Sequence, residues 1–156
     1  MKKILLLAMA VVLMTLAAYG GECCTTYNAE EVPLSGHGER AYLKVELPEY
    51  KDVSMKVTSA VYNPERKMIT IKGVVKNRTR SMLAGVDVHA ELMDKNGKLL
   101  AQRFERVVPN VIRMTGARLG RFTMVVCCDP GLDAIKFNVS WSGKVCPSFC
   151  TNIGCR

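Results

Sequence analysis

Apolar residues recur at every second position in several short segments of this chain, and each segment ends in residues that are typical of turns. Successive side chains of a β-strand point to opposite faces, so this period of two predicts strands with one face in a core and one in water. No long helix is predicted. The predicted inward residues are Leu43, Val45, Leu47, Val53, Met55, Val57, Val61, Ile69, Ile71, Gly73, Val75, Val86, Val88, Ala90, Leu92, Phe122, Met124, Val126, Ile135, Phe137, Val139 and Trp141.

Turn residues join most of these segments into hairpins. Residues 63–66, Asn-Pro-Glu-Arg, are a turn by composition. Residues 94–97, Asp-Lys-Asn-Gly, give the strongest hairpin signal, because Asn-Gly supplies the positive φ angles of a tight turn. The next segment, Leu99 to Val108, also fits a short amphipathic helix, but its link through Gly97 to the preceding strand favours a strand.

These signals give about seven short strands, spaced by about ten residues and joined mostly by hairpins. An immunoglobulin-like antiparallel β-sandwich has this pattern and is the predicted fold class, with a barrel as the alternative. Phe137 and Trp141 are expected to be the bulky residues of its core, with a packing role only.

The N-terminal residues have the three parts of an export signal. Lys2 and Lys3 give a positive start, residues 4–18 are apolar and uncharged, and Ala18-Tyr19-Gly20 supplies small residues for cleavage. The apolar stretch is shorter than the about 20 residues of a membrane-spanning helix, so we expect cleavage after Gly20, no stable membrane span, and a periplasmic or secreted location. The predicted organisation is a signal peptide at 1–20, a Cys-containing segment at 21–40, a sandwich domain at 41–142 and a Cys-rich tail at 143–156.

Charge and aromatic content exclude some partners. The leader holds two of the chain's 22 basic residues and none of its 14 acidic ones, so the remainder has a formal net charge of +6. Its basic residues are spread in ones and twos, which is typical of a solvated surface, although binding of a polyanion is an alternative. Aromatic residues are too sparse for a stacking platform, so no nucleic-acid partner is predicted.

Two stretches carry a family resemblance. Residues 71–77, Ile-Lys-Gly-Val-Val-Lys-Asn, contain Gly-x-Val-x-Asn, and residues 86–98 contain Leu-x-Asp-x-x-Gly. This pattern resembles the FxLYD-type domain, a bacterial extracytoplasmic β-sandwich, over about residues 53–141. The resemblance implies a sandwich without established enzymatic activity, in which Gly73 is a bulge or turn glycine and Asn77 caps a loop. Met93 stands where the motif has tyrosine.

Seven cysteines follow the leader: Cys23, Cys24, Cys127, Cys128, Cys146, Cys150 and Cys155. Thiols pair in an oxidising compartment, so we expect disulfides that fasten both termini to the sandwich. Cys128 continues an inward row while Cys127 points outward, so the two should have different partners. A bridge from Cys23 or Cys24 to this pair closes a loop of about 100 residues, which is worth more than a short bridge within the tail. Seven is odd, so three bridges leave one thiol, with three alternatives: it links two chains into a disulfide-bonded dimer, it is capped, or it is buried.

No catalytic, cofactor or metal site is predicted. Cys146 and Cys150 are separated by one residue too many for a Cys-x-x-Cys redox motif, and bridged cysteines would not bind zinc. His37, between two glycines, and His89, on an outward strand face, are predicted to be surface residues. The chain has no Gly-x-Ser-x-Gly elbow and no phosphate-binding glycine loop after a strand.

The sequence therefore predicts a non-catalytic, exported, envelope-associated binding or accessory module. Its partner is predicted to be an unidentified protein or envelope component, bound at an exposed strand edge or at the cysteine-bearing termini. Two alternatives stay open. One is a thiol-disulfide redox protein that uses the C-terminal cysteines, and the other is a polyanion or envelope-surface binder that uses the scattered basic residues.

Overall fold

The computed structural model describes residues 26–36, 42–116, 118–128 and 130–145, with the backbone alone for 144 and 145. Its regular structure is entirely β, and no helix occurs within these ranges, so the all-β prediction is confirmed. The strands are β1 (Thr26–Ser35), β2 (Tyr42–Glu49), β3 (Val53–Asn63), β4 (Met68–Asn77), β5 (Met82–Ala84), β6 (Asp87–Asp94), β7 (Leu99–Arg106), β8 (Val111–Ile112), β9 (Leu119–Cys127), β10 (Leu132–Ser140) and β11 (Gly143–Val145).

Eight of the strands form one sheet in the order β7-β6-β10-β2-β1-β3-β4-β9, and β11, β5 and β8 form a small second sheet. The large sheet is nearly closed into a barrel. β1 allows it to curve because this strand changes partner: up to Pro33 it pairs antiparallel with β2, and Leu34 and Ser35 pair in parallel with β3. On the other side, Val108 and Arg121 exchange two backbone hydrogen bonds of 2.8 Å and bring the segment after β7 onto β9.

The core lies inside the curved sheet and follows the predicted alternation. Nearly all predicted inward residues are buried, and Gly73, Phe122 and Phe137 meet near its centre. A Cβ atom added to Gly73 would lie 2.3 Å from the Phe122 ring, so only glycine leaves room for that ring. The Phe122 and Phe137 rings are 6.1 Å apart, so they bring β9, at one end of the sheet order, against β10, the third strand from the other end. Trp141 is half-buried instead and packs edge-on against Tyr50.

The immunoglobulin-like sandwich of about seven antiparallel strands is not confirmed. Eleven strands occur among the described residues, and two of their pairings, β1 with β3 and β10 with β2, are parallel. β1 was missing from the prediction because Val32 is its one buried residue, so it has no apolar alternation. β5, β8 and β11 have two or three residues each, which is too few to show a period.

Val61 was predicted to face the core and is exposed. The register between β3 and β4 shifts between Val57 and Ser59, which is a β-bulge. An extra residue in one strand reverses its alternation, so beyond the bulge Ala60 is buried and Val61 points outward. Gly73 pairs with Val57 beside this bulge.

The predicted hairpin between β6 and β7 is confirmed, and so is the strand at Leu99–Arg106. Its turn differs from the expectation, since Gly97 has a positive φ of 76° and Asn96 does not. The Asp94 carboxylate fixes the turn by accepting hydrogen bonds from the backbone N–H groups of Asn96 and Lys98, at 2.8 and 2.9 Å.

Candidate binding surfaces

The two parts of the large sheet carry opposite charge. We call β3, β4 and β9 the basic half: these strands contain four basic residues and no acidic one. We call β1, β2, β6, β7 and β10 the acidic half: these strands contain nine acidic and four basic residues. Charge is therefore sorted by position in the sheet, although it is mixed along the chain.

The basic residues of the basic half all point outward. We call this surface, formed by Lys56, Lys72, Lys76 and Arg121, the basic face; all four are exposed, and none of them forms an ion pair with another described residue. Lys56 and Arg121 flank Val74 in one row across three strands, about 10 Å apart. Lys72 and Lys76 lie about 13 Å apart along β4.

An apolar cleft lies at the end of the basic face. Its volume is about 610 Å³, and Met82, Pro109, Val111 and Leu119 line it together with Arg113 and Arg118. Leu119 pairs with Lys76, so the cleft adjoins the basic face directly. Val111 and Leu119 are each 39% exposed, which leaves apolar surface in contact with water.

Asn77 holds the backbone around this cleft. It is completely buried, and its side-chain N–H groups donate to the carbonyl oxygens of Ser81, Ile112 and Arg113 at 2.7, 3.1 and 3.3 Å. Its side-chain oxygen accepts from the backbone N–H of Thr79 at 2.8 Å and so caps the loop that follows β4. Its backbone N–H donates to the carbonyl of Arg118 at 2.8 Å.

The outer face of the acidic half carries a second depression, of about 320 Å³, which we call the outer groove. His89 lies in it between Phe104, whose ring centre is 4.7 Å away, and Ser140, whose Oγ is 2.7 Å from Nε2. The Asn138 side-chain oxygen accepts hydrogen bonds from the hydroxyls of Tyr27 and Tyr50 at 2.6 and 3.4 Å. His89 is thus a half-buried surface residue with partners of its own chain.

A third depression, of about 450 Å³, lies beside β1 and the end of β2. Glu30, Glu49, Lys51 and Arg78 all line it. The Glu49 carboxylate accepts hydrogen bonds from Thr26 Oγ1 at 3.1 Å and Asn28 Nδ2 at 2.5 Å, so it already has partners within the chain.

An ion pair occurs on the acidic half. Arg106 Nε lies 3.0 Å from Asp87 Oδ1, with 65% and 31% of the two side chains exposed. The hydrogen bond to Asp87, and then the attraction of its charge, raise the pKa of Arg106 above its ordinary value. Arginine is already protonated at neutral pH, so this pair introduces no switch.

Two of the seven predicted disulfide cysteines lie in the described part of the chain. Cys127 ends β9 and is exposed, while Cys128 is half-buried and packs against the core, which agrees with the predicted alternation. The other five and His37 lie outside the described residues, so the disulfide staples stay a prediction. The five cysteines outside the described residues are Cys23, Cys24, Cys146, Cys150 and Cys155.

The strand-edge hypothesis also stays a prediction. β7 pairs with β6 along one side, and Leu99, Leu100 and Phe104 on it are exposed.

In the described ranges, no cluster of three or more His, Cys, Asp or Glu side chains is arranged to bind a metal ion. Those ranges also lack any helix with the length and apolar composition to cross a bilayer.

The basic face and the cleft were not predicted from the sequence. Lys72 and Lys76 alternate with inward residues on one strand, which was a usable signal for an outward basic row. Lys56 and Arg121 join them only because β3 and β9 flank β4, and strand order is not visible in the sequence pattern.

The chain was compared with protein families, curated proteins and solved structures. No protein-family model matches the chain, and no curated protein sequence matches it. The structure of IrmA from Escherichia coli is similar, with a TM-score of 0.48 and 14% sequence identity, over 60% of this chain and 82% of that one.

Proposed function

We propose that this protein is a non-catalytic, exported binding module that attaches to an anionic partner through its basic face. The observation that carries this proposal is the sorting of charge between the two halves of the sheet. Four cations and no carboxylate lie on the strands of one half, while the other half has an excess of carboxylates.

The spacing of the cations supports joint action. Electrostatic interactions extend over about 8 Å at physiological ionic strength, which is more than half of the separations of about 10 and 13 Å between the cations. Their potentials therefore overlap over the basic face and attract an extended anion more strongly than one lysine would. Since no described carboxylate neutralises these side chains, a partner does not have to displace one.

The remaining parts of the proposal rest on the sequence. The leader supports export, and the cysteine content supports disulfides that fasten the termini. The FxLYD-type resemblance, which implies an extracytoplasmic sandwich domain, supports a binding role without catalysis. The redox alternative has no observation in its favour among the described residues, because the tail cysteines lie outside them.

Salt-dependent elution from a heparin column tests the basic face. We expect the triple variant Lys56→Gln, Lys72→Gln and Arg121→Gln to elute at clearly lower salt than the unchanged protein, because it loses three of the four clustered cations. A matched control removes three cations that lie elsewhere, with Lys44→Gln, Lys95→Gln and Lys98→Gln. If the two triple variants elute together, retention follows net charge and the proposal is wrong.

A further inference from the structure

The apolar cleft combines two features that no soluble polyanion would use together. Val111 and Leu119 expose apolar surface within it, and its lining contains two arginines and no carboxylate. Removing apolar surface from water is favourable, and a cation is stabilised by an anionic partner. A ligand that satisfies both must be amphiphilic and negatively charged.

We infer that the cleft binds the acyl chain of a single-chain anionic lipid while Arg113 and Arg118 bind its phosphate or carboxylate head group. This inference names the anionic partner and so rests on the proposed function. Neither guanidinium pairs with another described residue, so both are available to a ligand. The cleft volume of about 610 Å³ lies within the range of about 300–1,000 Å³ that small-molecule sites occupy.

The two arginines are placed by a rigid support. Asn77, which is completely buried, donates its side-chain N–H to the carbonyl of Arg113 and its backbone N–H to that of Arg118. One residue of β4 therefore fixes the backbone at both ends of the connection between β8 and β9. A binding site whose side chains project from an anchored backbone loses less conformational freedom on binding than a mobile loop does.

The position of the cleft favours a lipid over a free anion. Leu119 pairs with Lys76, so a chain in the cleft would have the basic face beside it. A free phosphate or an anionic sugar would contact the arginines and leave Val111 and Leu119 in water. The lipid is the occupant that covers the apolar lining and neutralises the cations at once.

Titration with octyl, decyl and dodecyl phosphate, each below its micelle concentration, tests the inference. Each buried methylene contributes about 0.8 kcal/mol, so the dissociation constant should fall up to about fourfold per added methylene until the cleft is full. Decyl maltoside, with the same chain and a neutral head, should bind at least about tenfold more weakly than decyl phosphate. Inorganic phosphate alone should bind more weakly than any of the three alkyl phosphates.

Two variants with matched controls locate the site. Leu119→Thr should weaken decyl phosphate binding several-fold, whereas Leu99→Thr, at an exposed leucine on β7, should not. Arg113→Gln with Arg118→Asn should remove the preference for the phosphate over the maltoside. Asparagine is chosen because Arg118 has a φ of 33°, a region that asparagine tolerates. Lys95→Gln with Lys98→Gln is the charge control.

The outcomes separate this inference from the proposed function. Three results would each overturn the lipid site. They are an affinity that does not depend on the length of the alkyl chain, equal affinities for decyl maltoside and decyl phosphate, and an equal loss of affinity in Leu99→Thr and Leu119→Thr. If that happens while the basic-face variant still loses retention on heparin, the partner is a soluble polyanion and the proposed function stands. If chain-length dependence is found but heparin retention is unaffected, the wider basic face is not the interaction surface.

Discussion

Strands β9 and β10 have similar inward-facing side chains and different outward-facing ones. β9 buries Phe122, Met124 and Val126 and turns Arg121, Thr123 and Val125 outward; β10 buries Ile135, Phe137 and Val139 and turns Lys136, Asn138 and Ser140 outward. The inward rows are interchangeable in character. The outward rows belong to surfaces of different charge, one without a carboxylate and one rich in them.

This difference separates the residues that specify the fold from those available for binding. Both halves contribute to a single core, and Phe122 and Phe137 meet across it. Outward residues do not enter that core, so their charge is free to differ between the halves without a cost in packing. Binding specificity is therefore expected on outward rows and at the cleft, while stability is expected to depend on inward residues of both halves.

The largest expected effect comes from the shared core. Phe137→Ala should lower the free energy of unfolding by about 3–5 kcal/mol, because it leaves a cavity where the ring is completely buried. Phe104→Ala is the matched control on the acidic half, since that ring is 65% exposed. Denaturant unfolding measures both. A similar loss in the two variants would mean that inward and outward positions are not energetically distinct.

A smaller effect distinguishes two asparagines, one from each half. Asn77→Ala should cost at least about 2 kcal/mol, because three carbonyl oxygens lose the donor that a completely buried side chain provides. Asn138→Ala should cost about 1 kcal/mol, since its half-buried tyrosine partners can turn to water. Thermal unfolding of the two variants gives the order. Equal costs would contradict the assignment of Asn77 as the support of the cleft.

Local pattern predicted the parts of the fold that depend on nearby residues. Alternation identified the inward rows of β2, β4, β6, β9 and β10, because a buried apolar row beside a solvated row leaves a direct trace in the sequence. The hairpin at Gly97 was also predictable, since a positive φ strongly favours glycine there.

Features that depend on distant residues were not predictable in the same way. β1 is a strand because β2 and β3 supply its hydrogen bonds, and its own sequence shows no alternation. The bulge that exposes Val61 depends on the pairing with β4. The basic face needs Lys56, Lys72 and Arg121 on three adjacent strands, and the cleft needs β5, β8 and β9 together, so both follow from topology.

The smallest expected effect concerns the ion pair between Arg106 and Asp87. Arg106→Gln should leave the unfolding midpoint within the error of the control Lys98→Gln, because an exposed pair is screened by water and salt.

The hydrogen bond and charge of Asp87 raise the pKa of Arg106 in the folded state. A group whose pKa is raised by folding stabilises the fold at any pH below its pKa in the unfolded state. This contribution is lost only as the pH rises through its pKa in the folded state. For arginine both lie far above neutral pH, so the variant and the control should also show parallel stability curves across the neutral range. A midpoint shift as large as that of Asn138→Ala would mean that outward charges help to hold the acidic half together, and the separation between fold and binding residues would then apply to the basic half alone.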